Sequence, residues 1–329
     1  MLILRNLLIA LICLFILKIY AVEESTSVPL FSDNSIIEFT LEAPFESLFK
    51  NKKTPQYRIY TKAHLAIDGL NLDVLLRVRG SVRRSACEFP PLKLKITSLE
   101  KEQTVFKNAK AFKLVTHCEF FKHSEHEHEQ LIIMEYLLYR FYKTLTPSSF
   151  HARLAKIKYL DSETLDKKTK FAFLIENNKQ MATRNNAMLL KKHKMISAID
   201  YDSIENSQLV RLFELYIGNG DYSLWGYQNI KFIKHTNQFF AVPYDFDRSA
   251  FVSMPFYPVY LDRFNEKIAE LKYGLSPSGE IKFNKAISLM LKQKSQWGQL
   301  ISELKVLDLK YRRAAMRRLN VFFKALAQM

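Results

Sequence analysis

The stretch that decides the fold is LYIGNGDYSLWGYQN, residues 215–229. It closes an amphipathic helix predicted over 208–218, whose apolar residues recur at helical spacing and which Gly218 ends. The polar loop that follows contains Asp221 and Asn229. Taken alone, Asp221 also suits an ordinary turn. Carboxylate and amide oxygens are metal ligands as well, and a carboxylate can accept a proton from a hydroxyl. The sequence therefore predicts a functional loop behind a packed helix.

A second acidic segment follows this loop. From Asn229 onward, alternating apolar residues predict a hairpin with its turn at Lys234–Asn237. The hairpin ends in PYDFD, which contains Asp245 and Asp247. Carboxylates directly behind a buried strand are candidate metal ligands, although such acids also simply terminate strands. The segment therefore predicts a metal-binding turn.

Two upstream elements supply complementary charges. The strand LKLKIT has Lys93 and Lys95 on one face and apolar residues on the other, because side chains alternate along a strand. A helix capped by Ser124 comes later, and it contains Glu129 and Glu135. Either lysine is a candidate to bind a phosphate, and either glutamate is a candidate to orient that lysine.

These side chains match the roles in phosphoryl transfer from a nucleotide. A lysine neutralises the phosphates, a helix carboxylate orients it, an aspartate receives the acceptor hydroxyl, and an asparagine with another aspartate holds the metal. Their order along this chain is the order in protein kinases. No GxGxxG loop is present, and RGSVRR occupies that region. Arg79, Arg83 or Arg84 is therefore expected to meet the phosphates instead.

The same landmarks resemble those of a known family. The segments LRVRGSVRR, PPLKLKI, LYIGNGDYSLWGYQN and VPYDFDRS are similar to successive motifs of the CotH family, the spore-coat-protein-H-like atypical kinases. The resemblance covers residues 60–260 in short motifs. It is closer still to an exported bacterial branch in which CEFPPLKL and KLVTHC recur together.

The resemblance implies a divergent kinase fold that uses ATP and Mg²⁺ or Mn²⁺ to phosphorylate serine or threonine in a protein substrate. Carried over by motif, it implies Asp221 as the catalytic aspartate and Asn229 and Asp245 as metal ligands, with Asp247 in the same turn. It also implies a phosphate lysine at Lys93, for which Lys95 remains the alternative. In such a kinase a helix carboxylate orients the phosphate lysine. Glu135, which is expected to face inward, is the candidate for that role.

The predicted elements give an α+β, two-lobed, atypical protein-kinase-like arrangement. Strand patterns dominate the first half of the chain, and helical patterns dominate the second half. We expect three parts: a targeting segment at 1–21, a strand-rich N-lobe with one key helix at 22–177, and a mainly helical C-lobe at 178–329.

The first residues predict export. Arg5 and Asn6 precede an apolar run from Leu7 to Leu17, and the small Ala21 precedes a polar mature start. The run is shorter than the roughly 20 residues of a spanning helix. Cleavage after Ala21 predicts a periplasmic or extracellular protein. An N-terminal anchor left by an uncleaved signal is the alternative, and the only membrane contact expected.

Two cysteines, Cys87 and Cys118, remain after that cleavage. In an oxidising compartment such a pair forms a disulfide more often than it stays reduced. Closing this span stabilises a fold by about 3–4 kcal/mol on the chain-entropy model. The alternative is two buried thiols too far apart to join.

The remaining chain is strongly basic. With Arg5 and Lys18 removed, 47 basic residues face 33 acidic ones, a formal charge of +14. Such a balance suits a protein substrate or an anionic envelope component, and no motif predicts sequence-specific nucleic-acid binding. Two alternatives to a kinase stay open: a non-catalytic kinase-fold binding protein, and a basic envelope-binding protein of other ancestry.

Overall fold

The computed structural model describes residues 28–118, 124–191 and 203–329, so the predicted targeting segment lies outside the described residues. The described chain is a mixed α+β structure, as the sequence predicts. Its strands are β1 (Ile37–Ala43), β2 (Thr61–Ile67), β3 (Leu70–Val78), β4 (Leu92–Ile96), β5 (Ala111–Val115), β6 (Ala152–Asp161), β7 (Lys167–Ile175), β8 (Met188–Leu189), β9 (Ile230–His235) and β10 (Gln238–Pro243).

The α-helices of the described ranges follow the same chain order. They are α1 (Phe45–Lys50), α2 (Val82–Ala86), α3 (Glu125–Leu145), α4 (Asn178–Arg184), α5 (Ser207–Ile217), α6 (Ala250–Ser253), α7 (Leu261–Lys272), α8 (Pro277–Leu291), α9 (Lys294–Glu303) and α10 (Leu309–Leu326). The predicted helices behind Ser124 and before Gly218 are α3 and α5, and the predicted hairpin is β9–β10.

Strands β1 to β7 close into a barrel with the order β1-β2-β3-β4-β5-β7-β6. Neighbouring strands are antiparallel, except that β1 and β6 run parallel, with Ile37 opposite Ala155. Alternation along β3 turns Leu72, Val74 and Leu76 into the barrel core. The polar residues of the same strands lie on the outer surface, where they can contribute to a site.

Helix α3 packs between the barrel and the helical half. A capping box between Ser124 and Glu127 fixes its first turn. Its side chains belong to the second hydrophobic core, in which Phe141 stacks on Trp297 with ring centroids 4.7 Å apart. The sequence assigns this helix to the strand-rich part, whereas its packing joins both parts. Glu135 is therefore held in a helix that is buried on most sides.

Helix α5 ends where the sequence predicts. Gly218 is its C-cap, with φ of +65°, a left-handed conformation that glycine adopts without steric cost. The Gly218 carbonyl accepts the amide of Ala250 at 3.0 Å, which fixes the start of α6. The polar loop and the acidic turn thereby lie next to each other. Among the described residues, no helix is both long and apolar enough to cross a membrane.

Candidate functional site

A cavity of about 300 Å³ lies where the barrel meets the helical half. Its wall combines the segment around α2, the inner face of α3, the loop behind α5 and the turn behind β10. The charged and amide side chains of the wall include Arg79, Arg83, Glu135, Asp221, Gln228, Asn229, Asp245, Asp247 and Arg248. Seven of these were predicted from the sequence as site residues. They come together from segments far apart in the chain.

The loop behind α5 fixes the Asp221 carboxylate. Asn229 Nδ2 donates to the Asp221 carbonyl at 2.7 Å and to Oδ2 of the same residue at 3.2 Å. Gln228 Nε2 donates to Asp221 Oδ1. Tyr227 and Asn229 both have φ of +52°, which folds the loop back on itself. The carboxylate is held at the cavity wall by its own loop.

A buried acid supports this loop from below. Glu214 Oε2 accepts from Asn219 Nδ2 at 2.9 Å, and Asn219 Oδ1 accepts the Asp221 amide at 2.9 Å. Burial raises the pKa of Glu214 to about 8, although the bond from Asn219 opposes the shift. The other Glu214 oxygen has no hydrogen-bond partner. Glu214 is thus a support of the loop that the motif analysis did not single out.

The acidic turn is tied to the same loop. The Tyr244 amide donates to the Asn229 carbonyl at 3.0 Å, and the Asp245 amide donates to the Tyr139 hydroxyl at 2.9 Å. Asp245 has φ of +67°, a conformation that is rare outside glycine and asparagine. The turn therefore presents the Asp245 and Asp247 carboxylates at the cavity.

Arg83 connects three carboxylates in the cavity. Its Nη2 lies 3.2 Å from Glu135 Oε2 and 3.2 Å from Asp245 Oδ1, and its Nε lies 2.7 Å from Asp247 Oδ2. Burial disfavours the guanidinium charge, but the three acids outweigh it and raise the pKa of Arg83. Burial also raises the pKa of Glu135. Arg83 opposes this shift, whereas the negative charges of Asp247 and Asp245 add to it. The cluster is a charge network that is buried at Glu135 and opens to solvent at Asp245, and Glu135 Oε1 lacks a hydrogen-bond partner in it.

A further cation, Lys113, lies beside this network and was missed by the sequence analysis. It projects from β5, donates to Asn178 Oδ1 at 2.8 Å, and lies 4.6 Å and 5.1 Å from the ring centres of Phe150 and Tyr244. Burial, with Arg79 and Lys231 nearby, lowers the pKa of Lys113 to about 7. A lysine held so close to other cations is a strong candidate for binding an anion.

None of the strand lysines Lys93, Lys95 and Lys113 is in the wall of the cavity, but Lys113 is the one whose charge interacts with Asp245 and Arg79 of that wall. Lys93 and Lys95 lie on the outer surface of β4, and Lys93 is directly opposite Lys113 in the strand ladder. The signal for Lys113 was available, since β5 is the strand that directly precedes α3. Of the two helix carboxylates left open, Glu135 lines the cavity, whereas Glu129 pairs with Lys170 at 2.9 Å.

The predicted disulfide is present. Cys87 and Cys118 are bridged, with their Cα atoms 4.9 Å apart. Cys87 directly follows α2, which carries Arg83, and Cys118 lines the cavity. The bridge therefore belongs to the wall of the site.

The carboxylates that face the cavity are partly engaged, because Asp245 and Asp247 each accept a hydrogen bond from Arg83. No group of three or more histidine, cysteine, aspartate or glutamate side chains converges as a metal site within the described residues. The amide nitrogen of Asn229 is used on Asp221, which leaves its carbonyl oxygen for another partner. With the Asp245 and Asp247 carboxylates this is an all-oxygen donor set, the kind that Mg²⁺ and Mn²⁺ prefer.

Comparisons with known proteins leave the family open. No protein-family model and no curated protein sequence matches the chain. The proinflammatory kinase CtkA of Helicobacter pylori aligns with a TM-score of 0.37 and 9% identity, over 82% of this chain and 92% of that chain. The Shewanella oneidensis MR-1 toxin–antitoxin complex of HipA, HipB and operator DNA aligns with a TM-score of 0.37 and 11% identity, over 88% and 71%. Both likenesses are too weak to assign this chain to a family.

Proposed function

We propose that this chain is an exported, kinase-like phosphotransferase that binds ATP and a divalent cation in the cavity and phosphorylates a hydroxyl of a protein. The observation that carries the proposal is the contact of one guanidinium, that of Arg83, with Glu135, Asp245 and Asp247. Asp221 and Asn229 lie in the wall of the same cavity. These are the residue types on which phosphoryl transfer depends.

The order of the elements supports a kinase-like, two-lobed arrangement. A strand lysine, Lys113, is followed by the helix that carries Glu135. The loop with Asp221 and Asn229, the hairpin β9–β10 and the turn with Asp245 come after it in the same order as in protein kinases. In this arrangement Lys113 takes the phosphate-binding role that the sequence motifs assign to Lys93 or Lys95.

The cations in the cavity wall and Lys113 beside it have distinct roles in the proposal. Arg79, Arg83 and Lys113 neutralise the nucleotide phosphates, and RGSVRR takes the place of a glycine-rich loop. Glu135 contacts Arg83, so in this proposal it orients an arginine where other kinases have a lysine. Arginine suits this position because its planar fork can bond two acceptors at once.

The acids and amides complete the proposed chemistry. Asp221 receives the proton of the acceptor hydroxyl and directs that hydroxyl towards the terminal phosphate. Asn229, Asp245 and Asp247 would hold the divalent cation, which supplies positive charge to the phosphates when bound. Export in an oxidising compartment agrees with the Cys87–Cys118 bridge.

A second candidate is a non-catalytic protein of the same fold that binds an anionic nucleotide or envelope component. It is favoured by the surroundings of Asp221, whose two carboxylate oxygens already accept amide hydrogen bonds from Gln228 and Asn229. A carboxylate used in this way can serve as a structural anchor of the loop rather than as a proton acceptor.

The test is to incubate the purified chain with labelled ATP, Mg²⁺ or Mn²⁺ and a generic basic protein acceptor. Thermal unfolding is recorded in parallel, with and without ATP and metal. We expect label transfer and nucleotide stabilisation in the wild type, and loss of both in Asp245→Asn. Stabilisation without transfer would favour the second candidate. Absence of both would contradict a nucleotide site and leave a basic envelope-binding protein.

A further inference from the structure

Helix α2, which carries Arg83, gains little stability from its backbone or from apolar burial. It is a single turn of five residues, none of them buried, and Val82 is 51% exposed. Ser81 at its N-cap makes no side-chain capping bond. A helix of this length is unstable by itself, and one without apolar burial gains nothing from the hydrophobic effect. Side-chain contacts of Arg83 and Arg84 hold the turn: Arg83 contacts three carboxylates, and Arg84 donates to the Lys52 carbonyl and lies 4.1 Å from the Tyr57 ring centre. Its backbone is held at the C-terminal end.

The disulfide fixes the C-terminal end of α2. Cys87 is the C-cap and is fully buried, and its amide donates to the Arg83 carbonyl at 3.0 Å. A constraint on Cys87 thus acts on the same helical turn as the Arg83 backbone. The other half of the bridge, Cys118, lies at the end of the segment that leads from β5 towards α3. The bridge therefore joins the segment that carries Arg83 to the segment that precedes the helix of Glu135.

We propose that the Cys87–Cys118 disulfide is a positioning element of the site, which holds Arg83 against Glu135, Asp245 and Asp247 so that the cavity is ready to bind a nucleotide polyphosphate. This inference rests on the proposed nucleotide site. With the bridge closed, Arg83 is already ordered before the ligand arrives. With the bridge open, the ligand has to order α2 as well, so affinity decreases.

Opening the bridge leaves the surrounding fold in place. Lys52 Nζ donates to the carbonyls of Cys87 and Glu88 at 2.6 Å and 3.3 Å. The Thr116 hydroxyl donates to the Phe89 carbonyl at 3.1 Å. The barrel core itself contains neither sulfur atom. Reduction is therefore expected to loosen α2 without unfolding the barrel.

The test measures the affinity of the disulfide-bonded chain for ATP with Mg²⁺ by calorimetry, before and after reduction. A dithiol reductant breaks the S–S bond by exchange: it supplies two electrons and two protons, leaves two cysteine thiols, and is itself oxidised to a cyclic disulfide. We expect about a tenfold loss of affinity, a coupling of ordinary size between two parts of one site. Cys87→Ala/Cys118→Ala should show the same affinity as the reduced chain, and the reductant should leave that variant unchanged.

Arg83→Gln separates positioning from general stabilisation. If the bridge acts through Arg83, reduction should no longer change the affinity once Arg83 is replaced. Hydrogen exchange on the reduced wild type should show lost protection of the Cys87 amide, which donates to the Arg83 carbonyl, and retained protection in β2 to β4. Equal affinity of the oxidised and reduced wild type would overturn the inference, as would loss of protection throughout the barrel. If the oxidised wild type binds no nucleotide, the proposed function fails instead.

Discussion

The side chain of Asn229 holds Asp221 across eight residues of loop: its Nδ2 lies 2.7 Å from the Asp221 carbonyl oxygen and 3.2 Å from Oδ2. Gln228 occupies the other carboxylate oxygen. The carboxylate is therefore fixed in one orientation at the cavity before any ligand binds. Such pre-positioning is what a residue needs if it is to receive a proton from an acceptor hydroxyl.

Asp221→Asn is expected to abolish phosphoryl transfer while leaving nucleotide binding intact. The amide keeps the size of the side chain but cannot accept the proton, so label transfer should fall by about 10²-fold or more. ATP affinity should change little, because no phosphate cation is altered. Label transfer and calorimetry on the same preparation check both parts. Asp262→Asn, at an exposed position of α7, is the matched control, and equal transfer in the two variants would contradict a catalytic Asp221.

Lys113→Met is expected to weaken ATP binding by about tenfold or more, because a hydrogen bond to a charged group contributes about 1.5–3 kcal/mol. The protein should remain at least as stable, since the buried lysine carries a desolvation cost that methionine does not. Lys93→Met is the matched control, because Lys93 lies opposite Lys113 on the next strand, whereas it is Lys113 that interacts with Asp245 and Arg79 of the cavity wall. A larger loss in the Lys93 variant would restore the assignment made from the motif.

Nucleotide affinity is expected to decrease as the pH rises above 7. In the free protein, burial and the nearby cations lower the pKa of Lys113 to about 7, so the amine is neutral in a growing fraction of molecules above that pH. A bound phosphate raises this pKa again, so binding takes up a proton. Calorimetry in buffers of different ionisation enthalpy measures that uptake. Lys113→Arg stays charged throughout, and its proton uptake above pH 7 should be absent.

Local patterns predicted the longer elements of the fold, but not the short helices α2, predicted as a loop, and α4, which are too short to show a helical repeat. Alternation in β3 and helical spacing in α3 come from burial of one face, which is visible in a single segment. The disulfide could be predicted because the pairing had no competitor once export was assumed. Closure of the barrel could not be predicted, because the parallel pairing of Ile37 with Ala155 joins segments that lie far apart in the sequence and carry no local signal for each other.

The choice between similar side chains also required the tertiary structure. Lys93 and Lys113 both project outward from the neighbouring strands β4 and β5, and only the folded chain shows that Lys113 interacts with Asp245 of the acidic turn. Likewise, Glu129 and Glu135 differ in role because Arg83 reaches only the second of them, from 52 residues away. Charge partners of this kind are set by packing rather than by spacing.

Glu214→Gln is expected to stabilise the protein increasingly as the pH rises. Burial raises the pKa of Glu214 to about 8 in the folded chain, whereas an unfolded glutamate ionises near its ordinary pKa of 4.5. Between these values the folded state keeps a proton that the unfolded state releases. The stability contributed by this group is thus fully present below pH 4.5 and is lost as the pH rises to 8, at about 1.4 kcal/mol per pH unit.

Glutamine keeps the acceptor for Asn219 and has no proton to lose, so its advantage over glutamate should grow by that amount per pH unit and then level off above pH 8. Urea unfolding at pH 5, 6, 7 and 8 measures the difference in the free energy of unfolding. Glu266→Gln, on the exposed surface of α7, is the control, and its difference should stay constant with pH. A constant difference for Glu214→Gln as well would show that Glu214 is ionised in the folded protein. The hydrogen-bonded series of Glu214, Asn219 and Asp221 would then contain a buried negative charge. The loop would be supported by a charged Glu214 rather than by a neutral one.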